Sequence, residues 1–302
     1  MTEVVVLDEV SGDELTLVER LIESAARVDG QPAVSEQGRL LLRGGRRDGV
    51  RHLLLRDGET LLGYAQLDGT DAVEPPSSEL VVDPAHRGHR HGMALGTALL
   101  AESGHRLRLW AHGAHPPARR LARRLGLTEF RELRQLRRPL ADADRDGKLA
   151  KPAFPPGVTV RTFVPGADDA AWLAVNAAAF AHHPEQGSLT QRDLDARKAE
   201  SWFDPAGFFL AERDGALLGF HWTKVHAAER LGEVYVLGVA PEAQGLGLGR
   251  ALTAVGLRHL AEDRGLPTAM LYVDADNAAA VRVYESLGFR THETDLMYRT
   301  ET

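Results

Sequence analysis

Two stretches of this chain are variants of one pattern. LVVDPAHRGHRHGMALGTALL begins at Leu80 and LGVAPEAQGLGLGRALTAVGL begins at Leu237, 157 positions later. Pro84 falls on Pro241, Arg87 on Gln244, Gly88 on Gly245 and Gly92 on Gly249. Upstream, RDGETLLGY from Arg56 matches RDGALLGF from Arg213; downstream, RRLGL from Arg123 matches ESLGF from Glu285. Matches in the same order point to a duplicated domain. A chain of 302 residues has room for two such domains, each with its own core.

The seam is expected in ADADRDGKLAKPAFPPG, which is charged, then proline-rich, and has no apolar period. That gives an N-terminal domain over 1–140, a linker over 141–157 and a C-terminal domain over 158–302. Each half reads alike. A first strand (Val4 to Leu7; Val158 to Phe163) precedes helical segments (Glu14 to Val28; Asp168 to Phe180). A hairpin with an RDG turn follows, then a strand, the glycine loop and its helix. Another strand (Arg106 to Ala111; Ala269 to Val273), a helix and a last strand complete the unit. This is mixed α/β, strand-rich early and alternating late.

The second loop, QGLGLGR, lies between the apolar run Val234 to Val239 and the amphipathic run Ala251 to Leu260. Gly245, Gly247 and Gly249 remove side chains where backbone N–H groups converge at a helix N-terminus, a place suited to phosphate. A P-loop needs G-x-x-x-x-G-K-[ST], and no lysine here is followed by Ser or Thr. A dinucleotide fingerprint needs G-x-G-x-x-G at the start of its domain, whereas this loop reads G-x-G-x-G and comes late. The pattern Q/R-x-x-G-x-G/A is met by Gln244, Gly247 and Gly249.

That pattern, followed by N-x-x-A-x-x-x-Y-x-x-x-G-F at Asn277, Ala280, Tyr284, Gly288 and Phe289, resembles the GNAT acetyltransferases. The resemblance implies an α/β (mixed α+β) fold of two tandem GNAT domains, each a mixed, mostly antiparallel sheet with helices on both faces. It also implies acetyl-CoA as cosubstrate, its pyrophosphate held by the loop.

Acyl transfer from a thioester to an amine needs a base for the amine, donors for the carbonyl oxygen and an acid for the departing sulfur. Glu233, at the start of the strand before the loop, is the candidate base. Backbone N–H groups around Leu237 and Val239 are candidate donors, and the phenol of Tyr284 is the candidate acid. Each alone has an ordinary reading: a solvated edge charge for Glu233, core packing for Tyr284. Their positions in the other copy are Pro76 and Ala122, and Arg90 stands where Gly247 would be. The N-terminal half is therefore expected to be degenerate and not to catalyse. His86, His89 and His91 have the spacing of a metal cluster but lie inside the phosphate loop with no matched carboxylate, so no metal is expected.

FAHHPEQG (Phe180 to Gly187), WFDPAGFFLA (Trp202 to Ala211), GFHWTKVH (Gly219 to His226) and GEVYVLGV (Gly232 to Val239) are more specific than the loop. They resemble the mycothiol synthase family of tandem GNAT enzymes. That resemblance implies acetylation of the cysteinyl amine of a cysteine–glucosamine–inositol conjugate by direct attack in a ternary complex. It implies acceptor contacts at Glu36, Glu185, Lys224, Glu233 and Tyr272. It implies acetyl-CoA contacts at Leu237, Gly238 and Val239; at Gln244, Gly245, Leu246, Gly247, Leu248, Gly249 and Arg250; and at Asn277, Ala278, Ala279, Ala280, Val281 and Arg282. A second, N-terminal acetyl-CoA site is implied at Leu80, Val81, Val82, Arg87, Gly88, His89, Arg90, His91 and Gly92, with Arg90 a departure from the motif. Without the resemblance, Glu185 reads as a loop charge and Lys224 as a strand-edge gatekeeper. The alternatives are a GNAT enzyme for another small amine and a non-catalytic acyl-CoA sensor.

Composition limits the remaining choices. A net charge of −7 argues against a nucleic-acid partner. No apolar run approaches the roughly 20 residues that span a bilayer. The acidic start MTEVVVLDEV reads as a strand, not a signal peptide. Cysteine is absent, which removes thiolate chemistry and disulfides. Few lysines against many arginines suggest a GC-rich genome, in keeping with an actinobacterial source. A cytoplasmic monomer acting on small molecules is the expectation.

Overall fold

The computed structural model describes residues 2–71, 73–140, 152–181 and 184–301; the side chains of Pro184 and Glu185 lie outside it. The chain forms two compact units, Met1–Leu133 with Thr294–Thr302, and Arg134–Glu293.

In the first unit β1 (Thr2–Leu7), β2 (Val50–Asp57), β3 (Thr60–Asp68) and β4 (Ser77–Val82) form an antiparallel run. β5 (Arg108–Ala111) then joins β4 in parallel. Helices α1 (Gly12–Asp29) and α2 (Glu36–Arg43) cover one face; α3 (His91–Glu102) and α4 (Pro116–Arg124) cover the other. The run Leu53, Leu54, Leu55 shows how strand alternation builds both cores. Leu54 packs with Val18 and Ile22 of α1, while Leu53 and Leu55 pack with Leu95 and Leu99 of α3.

The second unit repeats the plan. β7 (Thr159–Thr162), β8 (Phe208–Arg213), β9 (Ala216–His226) and β10 (Leu231–Val239) are antiparallel, and β11 (Thr268–Asp274) joins β10 in parallel. On one face lie α5 (Asp169–Ala179), the short α6 (Pro184–Gly187) and α7 (Gln191–Lys198). Trp172 of α5 is fully buried there, edge-on to Phe208, Phe220 and Trp222. On the other face lie α8 (Leu248–Arg258), ending in a π-helical turn at His259–Asp263, and α9 (Ala278–Ser286).

The two contact units differ at their ends from the halves read in the sequence. β6 (Leu127–Pro139) and β12 (Arg290–Thr300) each begin in one unit and finish in the other. From Arg134 onward β6 belongs to the second unit, beside β11. From Thr294 onward β12 belongs to the first unit, where Leu296–Arg299 pair antiparallel with Ala111–Arg108 of β5. The physical reason is that each parallel β4–β5-type pair has an open outer edge, and a long antiparallel strand satisfies it. Of the expected linker, 141–151 lies outside the described residues; Phe154 and Val158 already pack against Leu218, Ala240 and Leu248 of the second unit.

Candidate active site

β10 is paired to β11 only over Leu231–Val234, opposite Thr268–Leu271. A bulge between Val234 and Val236 then shifts its register with β9, to which it stays paired through Val239 opposite Gly219. The Ala240 N–H donates to the Leu218 carbonyl at 2.9 Å. By strand alternation the N–H groups of Gly238 and Val236 turn the same way. Those of Leu237 and Val239 turn into the gap that β11 has left.

The loop closes that gap. Gly245 and Gly247 both have φ of 80°, a left-handed conformation that glycine adopts without steric cost, and a Cβ at either would meet nothing within 4 Å. The first backbone bond into α8 runs from Ala251 N–H to the Gly247 carbonyl (3.2 Å), so the N–H groups of Leu248, Gly249 and Arg250 have no acceptor inside the helix. Gln244, Gly245, Leu246, Gly247 and Arg250 are exposed, whereas the Leu248 side chain is core. Asn277 caps α9 by accepting from Ala280 N–H (3.1 Å); Ala278, Ala279 and Arg282 are exposed, and Val281 points into the core. Leu248 and Val281 thus reach the loop surface only through their backbone. An exposed glycine cradle at a helix N-terminus, beside a splayed strand pair, fits the pyrophosphate and pantetheine of a CoA ester.

The side chains on the α5–α7 face are closely ordered. Glu233 is interior to β10, directly between Lys224 of β9 and Met270 of β11, and only 6% exposed, so it is no solvated edge charge. Its Oε2 is 2.7 Å from His226 Nε2. Lys224 is likewise on an inner strand; its Nζ stands 4.4 Å from the Trp202 ring centre and 5.2 Å from that of Tyr235. The Tyr235 hydroxyl accepts from Arg197 Nε (2.9 Å). On β11, Tyr272 is exposed and its hydroxyl accepts from Gln135 Nε2 (2.8 Å); Gln135 Oε1 accepts from Arg137 Nε (2.7 Å). Glu185 is on α6, which is held by Gln186 bonding Asn176 of α5 through both backbone and side chain. Tyr284, on α9, is half-buried, edge-on to Phe289, and burial pushes its phenol up from 10 to about 12. Its hydroxyl has no hydrogen-bond partner among the described residues.

The sequence reading named Glu233, Lys224, Tyr272 and Tyr284 but passed over His226, Gln135 and Arg137. His226 was accessible to it: strand period puts residues 222, 224 and 226 on one face, and a short turn returns the chain to Glu233. Gln135 and Arg137 were hidden because they precede the seam in sequence yet belong to the second unit.

The first unit keeps the backbone plan without these side chains. β4 pairs with β5 only at Ser77 and Ser78, and the Asp83 N–H donates to Leu62 O (2.9 Å), so the N–H groups of Leu80 and Val82 turn into an equivalent gap. Gly88 has φ of 86°, and Arg90 caps α3 in the left-handed region at φ 66°, the same conformation as Gly247. Gly88, His89 and Arg90 are exposed, His91 and Gly92 half-buried, and the Val81 side chain is core. Arg87 makes a two-pronged ion pair with Asp29 (2.6 and 2.8 Å). Glu36 opens α2 of this unit. Ala122 is buried, and, because β10 carries a bulge that β4 lacks, the register places Ser77, opposite Asp68 and Arg108, where Glu233 lies opposite Lys224 and Met270. His89 and His91 lie ring to ring at 6.0 Å, and among the described residues no group of three or more His, Asp or Glu side chains could hold a metal. A separate polar cluster is buried here. His112 Nε2 is 2.8 Å from Glu79 Oε1, its Nδ1 is 3.0 Å from Asp295 Oδ2, and Ser35 N–H donates to Glu79. Burial opposes charge on His112, but the hydrogen bonds it donates to Asp295 and Glu79 outweigh it and raise the imidazole from 6.5 to about 10.

Comparison with known proteins agrees with this geometry. A model of the acetyltransferase (GNAT) family matches residues 175–289. A mycothiol acetyltransferase of Streptomyces avermitilis is 77% identical over 282 residues, spanning 93% of this chain and 90% of that protein. One from Streptomyces coelicolor is 73% identical over 297 residues, spanning 98% and 94%. A tandem GNAT protein from the clavulanic acid biosynthesis pathway, solved without acetyl-CoA, shares the fold with a TM-score of 0.72 at 19% identity, over 100% of this chain and 98% of that one. Among the described residues no helix is long and apolar enough to cross a membrane. The duplicated architecture, the splayed strands with their glycine cradle and this level of identity together make the chain a member of the mycothiol acetyltransferase family of tandem GNAT enzymes.

Proposed function

We propose that the second unit transfers acetyl from acetyl-CoA to the cysteinyl amine of a cysteine–glucosamine–inositol conjugate, giving mycothiol and CoA. Acetyl-CoA supplies the acetyl as an activated thioester. Glu233 removes the amine proton; its burial keeps water from competing for the carboxylate. The N–H groups of Leu237 and Val239 receive the charge that builds on the carbonyl oxygen. Tyr284 keeps its proton well into the alkaline range and gives it to the leaving sulfur. Lys224, Tyr272 and Glu185 hold the acceptor's hydroxyls through charge-assisted and phenolic hydrogen bonds.

The observation that carries this reading is the coincidence, in one unit, of a buried carboxylate on the strand before the loop and a protonated phenol on the helix after it. CoA release measured with the cysteinyl conjugate and with a panel of aminoglycosides and peptide amines tests it. Turnover confined to the conjugate is expected; equal turnover elsewhere, or binding without turnover, overturns it.

The first unit is proposed to bind acetyl-CoA without transferring its acetyl group. Its loop follows the same backbone path, but it has neither base nor acid. Calorimetric titration of the protein with acetyl-CoA is expected to give two sites, of which Gly88→Asp removes one. A single site unchanged by Gly88→Asp overturns this part.

A further inference from the structure

Glu233 has one partner that its proposed role as base does not by itself require. His226 ends β9, on the same face as Lys224, and its Nε2 lies 2.7 Å from Glu233 Oε2. Among the described residues this is the only hydrogen bond the carboxylate makes, so Oε1 is left without a protein partner. The side chain of Glu233 is 9% exposed and that of His226 is 26% exposed, so the pair runs from the interior of the sheet toward solvent. A carboxylate on a strand has two free torsions beyond Cβ. One fixed oxygen removes most of that freedom and turns the other oxygen one way.

Among the described residues, the charged groups that face the pair come from its own strands, the adjoining turn and α7. Lys224 faces Glu233 across the β9–β10 pairing, its ammonium drawn over Trp202 and Tyr235. β11 offers Met270, which carries no charge, and α7 contributes Arg197 through the Tyr235 hydroxyl. Glu229 and Arg230 lie exposed in the turn that joins His226 to β10.

We propose that His226 is the positioning residue of the acetyl-transfer site: its Nε2–H holds Glu233 Oε2 so that Oε1 faces the acceptor amine. This rests on Glu233 being the base. The amine N–H bond breaks, its electron pair stays on nitrogen, and the proton joins Oε1. His226 donates its hydrogen bond throughout and exchanges no proton.

A positioning role has a signature that a purely structural one lacks. Misplacing the base matters where the amine must be deprotonated by the enzyme, and matters less as pH rises and free amine accumulates. We therefore expect His226→Ala to lower kcat roughly 10- to 100-fold at the acid end of the profile, to converge on the parent at high pH, and to leave the KM for acetyl-CoA unchanged. His226→Gln, which can still donate, recovers most of the loss. In Glu233→Ala/His226→Ala the second change adds nothing to Glu233→Ala alone. Nitrogen NMR of the His226 ring is expected to differ between the parent and Glu233→Gln. A parent-like profile for His226→Ala, a loss uniform in pH, additive losses in the double variant, or identical His226 ring shifts in the parent and Glu233→Gln overturns the inference. Should Glu233→Ala itself lose activity uniformly across pH, the base assignment fails instead, which keeps the two failures distinct.

Discussion

Glu233 and Tyr284 owe their properties to where the strands and helix put them. Burial of a phenol disfavours its anion, so Tyr284 stays protonated well past neutral pH, with its titration moved to about 12. Tyr284→Phe is expected to lower kcat by about 100-fold with little change in the KM for acetyl-CoA. The parent's rate should show no alkaline decline from this group below about pH 11; both are read from initial rates of CoA release across pH. Glu233→Ala should lose most at low pH and recover in part as the amine deprotonates itself. Both residues were legible from their spacing around the glycine loop. Their environment was not, because one Glu in a β-run reads the same on an edge strand as between two partners. Lys224 makes the same point: its sequence context suits an edge charge, and only the order of strands puts it inside the sheet over two aromatic rings.

The loop elements carry a different lesson. The strand, turn and helix around each loop were legible from the repeat, and HRGHRHG reads as a damaged copy of QGLGLGR. In the structure the damage is chemical rather than conformational, since Arg90 takes the same left-handed turn as Gly247. An L-residue in that region costs roughly 1–2 kcal/mol, which sequence alone could not show being sustained. Arg90→Gly is therefore expected to stabilise the protein, by up to about 1 kcal/mol after the extra freedom of glycine in the unfolded chain is counted. Gly247→Ala should destabilise it by about 1 kcal/mol. Denaturant melts of the two variants check the opposite signs. The splay that opens beyond Val234 was invisible for a related reason: a run of strand-forming residues does not reveal where a neighbouring strand departs.

At the scale of the whole molecule, His52, His221 and His112 set how stability varies with pH. Burial lowers His52 to about 4, and burial lowers His221 to about 4 despite its 2.7 Å contact with the Leu252 carbonyl. Both are neutral in the fold, so the unfolded chain binds more protons between pH 4 and 6.5, and stability falls as pH drops through that window. His112 acts in the opposite sense. Its folded value of about 10 exceeds 6.5, so its stabilisation is complete below 6.5 and is lost as pH rises toward 10. The melting temperature should therefore peak near pH 6.5, and His112→Asn should flatten the alkaline side; melts from pH 4 to 10 measure this. The two-fold repeat made the overall architecture legible. It hid the exchange of last strands, because each half contains a full set of strands and nothing in their composition says which sheet each one completes.

The course of β12 bears on how the protein is made. The first unit lacks Asp295 for His112 and Leu296–Arg299 for β5 until Thr294–Thr302 have been synthesised. On the ribosome the whole of Arg134–Glu293 emerges before those residues do. The domain that is translated first is therefore the one finished last, and its unpaired β5 edge stays open to chaperones or to misassembly for most of the time spent in synthesis.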